Sequence, residues 1–298
     1  AVKMGLVAQV AQSYFELMAL DNELAIVRRT LEARREGVRL AEIRFKGGLT
    51  SEIVFQQAKV ELAKTATMVP DLERRISLKE SEIALLTGDF PYAVNRNVLP
   101  EEIQLPDALP LGLPSTLLER RPDIRKAERE LMAAHAEVGL AYTNMFPRLA
   151  LTATLGAESE TLRDLLKSPY SYLAGNLLSP LFAMGKNRAA LKAKRAAYEG
   201  AVAEYEKTVL TAFKETHNAI INFNKIKDIY ESRRQLAEAS RTAVELAQLQ
   251  YINGVIGYLD LLDAQRNYFD AQVSLSNAVC DKQLMIINLY KALGGGWK

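Results

Sequence analysis

Only one cysteine, Cys280, and two histidines, His135 and His217, occur in the 298 residues. A lone thiol cannot form an internal disulfide, and its helical context reads as a small buried hydrophobe. The histidines stand far apart in sequence, without a cysteine cluster beside them. His135-Ala136-Glu137 matches the first half of a zinc deaminase signature, but the Pro-Cys-x-x-Cys half is missing. Met184-Gly185-Lys186 lacks the glycine-rich run of a phosphate-binding loop, and Gly294 to Gly296 follow a helical pattern instead of opening one. No catalytic, cofactor or metal centre is therefore predicted. Charge of one sign is also scarce: 38 basic and 36 acidic residues leave a net charge of +2, which gives no bias towards nucleic acid. No stretch approaches the ~18–20 uninterrupted apolar residues of a membrane-crossing helix. Ala1 begins inside a helical pattern without the basic start of a signal peptide. Any contact with a bilayer would thus have to be made by strands.

What is present is a globular composition, 49% hydrophobic and 25% charged, which excludes a disordered chain. An internal repeat is also present. A shift of 206 residues lays Gln9–Ser13 on Glu215–Ala219, Arg44–Lys59 on Gln250–Gln265 and Leu85–Gly88 on Lys291–Gly294. Glycine, aromatic and apolar positions coincide without a gap, so the chain reads as a tandem duplication.

Each copy reads as two long antiparallel helices and a tight turn. Leu17, Leu20, Leu24, Val27, Leu31, Val38 and Phe45 follow 3–4 spacing, interrupted by Arg34. The return arm carries Ala58, Leu62, Val69, Leu72, Ile76, Ile83 and Leu86 at heptad-compatible positions. Seams this narrow suit coiled-coil packing. Gly47 and Gly48, and Asn253 and Gly254, break the pattern where turns tolerant of positive φ are needed. Pro70 predicts a bend, not an end, since Ser276 replaces it in the second copy. From about Lys186 to Tyr251 there is no proline and only Gly200 as a breaker, so at ~1.5 Å per residue that helix approaches 100 Å, a length for a tube or stalk.

Between the copies, residues 89–121 hold five of the ten prolines (Pro91, Pro100, Pro106, Pro110, Pro114, with Pro122 just beyond) and read as a connector along a surface. Residues 1–88 form the first-repeat hairpin. Residues 122–298 form the second repeat: a helix, strands at about 147–156 and 172–182, and a long helical hairpin over 186–293. Because Ala1 aligns with Lys207, inside the second copy's long helix, the first copy starts mid-helix and lacks its own leading helix and strand pair. The expectation is a truncated or cleaved form. In the first strand Leu149, Leu151, Ala153 and Leu155 alternate with Ala150, Thr152 and Thr154, giving one apolar and one wetter face. Such strands fit either a transmembrane barrel or an ordinary hairpin packed on a helix.

The segment Leu113–Gly156, with two arginines before Pro122-Asp123-Ile124, then Ala127-Glu128 and Phe146-Pro147 ahead of an alternating strand, resembles the midpoint signature of TolC-like outer-membrane efflux proteins. It is most similar to the lipoprotein branch serving resistance–nodulation–division pumps. Tyr251–Gln272 and the terminal Leu289–Trp297 resemble the same family, so the likeness covers essentially the whole chain. The resemblance implies a mainly α fold: two tandem helical hairpins of the α-barrel type, with a strand pair belonging to a trimeric outer-membrane β-barrel. It further implies a homotrimer in outer-membrane lipid with its helices in the periplasm. That trimer would be a passive exit duct for drugs, metals or other solutes, reached through a periplasmic adaptor from an inner-membrane transporter of that class. By this comparison the chain keeps two of four strands and lacks the region of a lipid-bearing cysteine.

The resemblance also assigns sites. Asp260 and Asp263 match the acidic positions of the periplasmic gate, while Ile256 stands where some members place a latching arginine, and Val54 where its acidic partner would sit. Two readings stay open for the aspartates, a constriction ring or carboxylates favouring a helix start. Two stay open for the tips at Gly47, Gly48, Asn253 and Gly254, turns alone or adaptor contacts as well. Leu149, Leu151, Ala153 and Leu155 would face lipid. The alternative from another class is a soluble coiled-coil scaffold or membrane-curving helical bundle, which leaves the strand pair inside a duplication unexplained.

Overall fold

The computed structural model describes residues 2–96, 121–160, 169–179 and 182–295. It contains helices α1 (Val2–Lys46), α2 (Glu52–Thr87) and α3 (Pro122–Thr143), strands β1 (Arg148–Ala157) and β2 (Pro169–Leu178), and helices α4 (Met184–Ile252) and α5 (Tyr258–Ala292). The chain divides into two compact units, Ala1–Arg121 with Phe213–Lys298, and Pro122–Ala212. Helix α4 contributes to both.

In the first unit α1 and α2 pair antiparallel, as the seam predicts. Leu17, Leu20, Leu24 and Val27 of α1 meet Leu72, Ile76 and Ile83 of α2 in one buried cluster. Removing such side chains from water is worth roughly 1.5–3 kcal/mol each, and this drives the pairing. Polar ties run down the same seam: Ser13 donates to Glu82, and Lys79 bridges Glu82 and Glu16. Helix α2 continues through Pro70 and does not end there, as expected. Pro70 and Ala66 are both exposed, so the carbonyl that loses its donor can take water instead. The described beginning of the proline-rich segment, 89–96, is exposed except at Val94, which anchors it. Val94 is buried in the α1–α2 core, its N–H donates to Glu80, and Arg96 pairs with both Asp21 and Glu80. The rest of the expected connector, 97–120, lies outside the described residues.

Helix α5 packs antiparallel on α1, through Gln12 to Asn288 at 2.8 Å and Asn22 to Ser276 at 2.9 Å. Near Asn277, Cys280 lies half-buried with its Sγ 3.6 Å from the Phe15 carbonyl. Burial, with Asp281 and Glu16 adding to it, pushes this thiol up to about 11, so it is a neutral, inert filler. Arg233 reaches from α4 to the Ser274 carbonyl on α5. At the far end Arg121, 6% exposed, and the Thr216 hydroxyl both donate to the carbonyl of Ala292, while Glu215 offsets the arginine's charge. The second arginine of the Arg-Arg-Pro-Asp-Ile run thus closes the carboxyl end of α5.

The repeat is legible in backbone hydrogen bonds. At the first turn the N–H groups of Gly47, Gly48 and Leu49 donate to Ile43, Phe45 and Arg44. At the second, Asn253, Gly254 and Val255 donate to Leu249, Tyr251 and Gln250, the same pattern under the 206-residue shift. Gly48 and Gly254 have φ of 71° and 72°, where a side chain would be strained. The helix ends match as well: Gly88 and Gly294, at φ 83° and 89°, close α2 and α5 with equivalent bonds.

In the second unit, Pro122 and Asp123 open α3, proline supplying a helical φ and aspartate favouring the positive end of the dipole. Glu137 of α3 pairs with Lys194, and the His135 ring lies 5.5 Å from that of Tyr198. Strands β1 and β2 form a two-stranded antiparallel sheet. The second strand runs Pro169–Leu178, earlier than the expected 172–182. Its limits are set by its partner: Leu178 pairs with Arg148, and beyond it lies Pro147, which has no N–H to offer. Residues 161–168, most of the expected hairpin loop, lie outside the described residues. Directly paired residues share a face, so Leu149, Leu151, Ala153 and Leu155 lie with Leu177, Gly175, Leu173 and Ser171. All of these leucines are exposed, Leu155 at 85%. Thr152, Thr154, Tyr172 and Asn176 occupy the opposite face.

Candidate functional site

The predicted site residues of the helical part gather at one end of the first unit, because the two hairpin turns sit side by side. The guanidinium of Arg44, in the last turn of α1, donates to the carbonyl of Tyr251 at 3.0 Å and lies 4.6 Å from the centre of its ring. That contact adds a cation–π attraction to a hydrogen bond and fastens one turn to the other. Phe45 stacks on Phe55 within the first turn, and Tyr251 meets Tyr258 edge-on across the second. Gly47, Gly48, Asn253 and Gly254 form the exposed tips, flanked by exposed Leu49, Ile53, Val255 and Leu259.

Asp260 and Asp263 both lie exposed in the first turns of α5. The Asp260 carboxylate accepts the N–H of Gly257 at 3.1 Å, the returning half of a capping box; glycine has no side chain to supply the other half. Arg266, three residues after Asp263, has its charge held mainly by its hydrogen bond to Glu61 against burial, with the negative charge of Asp263 a smaller addition.

The dominant charge contact here was not foreseen. Glu61 of α2, its side chain 6% exposed, receives hydrogen bonds from Arg34 of α1, Lys64 of its own helix and Arg266 of α5. The Arg34 contact is 2.8 Å, and the same nitrogen also reaches the Glu61 carbonyl. The Arg266 hydrogen bond holds the Glu61 carboxyl down at about 2; burial opposes this, and Lys64 and Arg34 reinforce it. Glu61 therefore clasps both arms of the first hairpin to the return arm of the second. Its signal in the sequence is faint: buried Ala58, Glu61, Thr65, Leu72, Ile76 and Ile83 share one seam, and Arg34 is the interruption opposite. Burial pushes the neighbouring Tyr258 hydroxyl up, helped by the negative charge around it. Among the described residues no group of acidic, histidine or cysteine side chains could hold a metal ion, and no helix is long and apolar enough to cross a membrane.

The chain is similar to proteins of known kind. Outer membrane protein OprJ of Pseudomonas aeruginosa is 34% identical over 307 residues, covering all of this chain and 63% of its own length. The toluene efflux pump outer membrane protein TtgI of Pseudomonas putida is 34% identical over 301 residues, again covering all of this chain and 64% of its own. The chain thus spans a little under two thirds of the length of these relatives. The solved structure of the outer-membrane channel OprN matches with a TM-score of 0.87 at 31% identity, over 99% of this chain and 67% of that one. The fold of the chain is thus that of a known outer-membrane channel architecture. The family model described as "Outer membrane efflux protein" matches residues 1–89 and 113–295, and the chain belongs to that family.

Proposed function

We propose that this chain is the larger part of one subunit of an outer-membrane exit duct, a passive conduit in a tripartite efflux pump. The duct is a homotrimer whose barrel sits in outer-membrane lipid and whose helices extend through the periplasm. A periplasmic adaptor links it to an inner-membrane transporter of the resistance–nodulation–division class. The subunit catalyses nothing, and the solutes that pass are chosen by the pump. Within it, residues 1–88 and 122–298 are the two repeats and 89–121 the connector.

The observation that carries this reading is the strand pair. Five leucines on one face of β1 and β2 stand 69–85% exposed, opposite a face bearing Thr152, Thr154 and Asn176. A two-stranded sheet with open edges does not persist in lipid alone, since each unpaired backbone group costs several kcal/mol there. Closing it with further strands removes the edges and gives the leucines a hydrocarbon solvent. A soluble helical scaffold has no use for such a face. Asp260 and Asp263 are assigned to a constriction ring at the periplasmic end, and Gly47, Gly48, Asn253 and Gly254 to tips that meet the adaptor. Leu149, Leu151, Ala153 and Leu155 face lipid.

Expression in a Gram-negative host lacking its own exit ducts, with the cognate adaptor and pump, tests the reading. The protein should fractionate with the outer membrane and lower the accumulation of a fluorescent pump substrate. Recovery in the soluble periplasmic fraction, with accumulation unchanged, would refute it.

A further inference from the structure

A cavity of about 300 Å³ lies behind the two turns, lined by residues of both hairpins, among them Arg34, Leu40, Tyr251, Tyr258, Leu261 and Gln265. Two buried polar atoms among its lining residues have no hydrogen-bond partner, Nε of Arg34 and the hydroxyl of Tyr251. The Arg34 side chain is 9% exposed and Tyr251 6%, so bulk water does not reach these groups freely. A buried polar group left in this condition is penalised, and an occupant with a matching acceptor would recover that cost. Both groups can donate.

The local charge favours an anion. The charged lining residues pair off, Arg34 with Glu61 and Arg39 with Glu36, while Arg44 over the Tyr251 ring, and Lys64 and Arg266 behind Glu61, add positive charge around the cavity that Asp263 offsets in part. The surplus of positive charge therefore lies around the cavity, and the two open donors lie among its lining residues. Its other walls are aliphatic and aromatic, which disfavours a strongly hydrated dianion such as phosphate. The volume is at the small end of ligand pockets, which run from ~300 to ~1,000 Å³, so a single-ring molecule suits it better than a drug-sized one.

We propose that this cavity is a binding site for small amphiphilic monocarboxylates of benzoate size. The carboxylate accepts from Arg34 Nε and the Tyr251 hydroxyl, and the ring lies against Leu40, Tyr258 and Leu261. Because Arg34 belongs to the first hairpin and Tyr251 to the second, the ligand bridges the two and favours the arrangement in which they are packed. The site rests on the cavity alone and holds whether or not the chain forms a duct.

Fluorine NMR of the detergent-purified protein, titrated with 4-fluorobenzoate, tests this, with 4-fluorobenzyl alcohol as the uncharged comparison. The benzoate signal should broaden saturably and the alcohol signal should not. Tyr251→Phe should weaken benzoate binding about tenfold while circular dichroism shows the helices intact. Leu40→Phe, which fills the cavity from its half-exposed side, should abolish binding without touching either donor. Absence of saturable broadening, equal binding of the alcohol, or an unchanged midpoint in Tyr251→Phe would each overturn the proposal and leave the cavity to water.

Discussion

Arg44 and Tyr251 are 207 residues apart, yet the guanidinium of one donates to the carbonyl of the other at 3.0 Å and covers its ring. This contact joins the end of one helix to the end of its repeat counterpart. Arg44→Ala removes both the hydrogen bond and the cation–π attraction, at a cost of about 1–3 kcal/mol. Arg44→Lys keeps the charge but not the planar fork and should recover less than half of it. Hydrogen exchange should show the effect as faster exchange confined to the two turns, with the α1–α2 core unchanged. Equal protection in wild type and Arg44→Ala would mean that the turns hold each other by other contacts.

Glu61→Gln leaves Arg34 and Arg266 without their shared counter-charge. Breaking a buried pair by removing one partner costs on the order of 3 kcal/mol, so this substitution should lower thermal stability more than any surface ion-pair variant such as Glu32→Gln. Comparable melting curves for the two variants would demote the clasp to an incidental contact.

Acid should act on the same residue in a defined direction. The Glu61 carboxyl is held at about 2, below its ordinary 4.5, so its contribution is complete above about pH 4.5 and is lost as pH falls towards 2. Other carboxylates, Glu82 among them, are also lowered, so the wild-type curve alone does not isolate it. The difference in stability between wild type and Glu61→Gln should be constant from pH 5 to 7 and shrink below about 4.5. A difference that stays constant down to pH 3 would contradict the assignment.

How much of this was legible in the sequence depended on the range of the interaction. The hairpins followed from 3–4 spacing, and the turns from glycines whose positive φ no other residue adopts easily; both signals are local. The apolar face of β1 followed from strict alternation. The limits of β2 did not, because Tyr172 to Phe182 alternates loosely and its register is fixed by Pro147 and Arg148 on the other strand. Glu61 stayed hidden because a carboxylate at a seam position looks like a defect until Arg266, distant in sequence, is seen beside it. Val94 is one apolar residue in a proline-rich stretch, and only its docking into the α1–α2 core identifies it as core.

The strand faces give a paired test. A cation placed on the lipid face of a barrel near the bilayer midplane costs ~2–4 kcal/mol, whereas the lumen tolerates it. Leu151→Arg should therefore sharply reduce the yield of heat-modifiable trimer in outer-membrane extracts, and Thr152→Arg should not. Equal yields would favour a strand pair packed against protein.

The assignment of Asp260 and Asp263 separates a constriction ring from a helix cap. Three copies of each around one axis would attract cations, and multivalent cations most strongly. Asp260→Ala with Asp263→Ala should lower cation preference and weaken block by a trivalent cobalt complex. If only helix stability changes, through the lost bond to Gly257, the aspartates are caps.

Single-channel recording of outer-membrane-extracted protein in planar bilayers shows whether the protein forms a conduit. A conduit should give discrete, long-lived conductance steps with a preference for cations, and smaller cation selectivity in the double aspartate variant. A protein that stays folded and helical but yields no conductance at any voltage or concentration would contradict the proposed conduit.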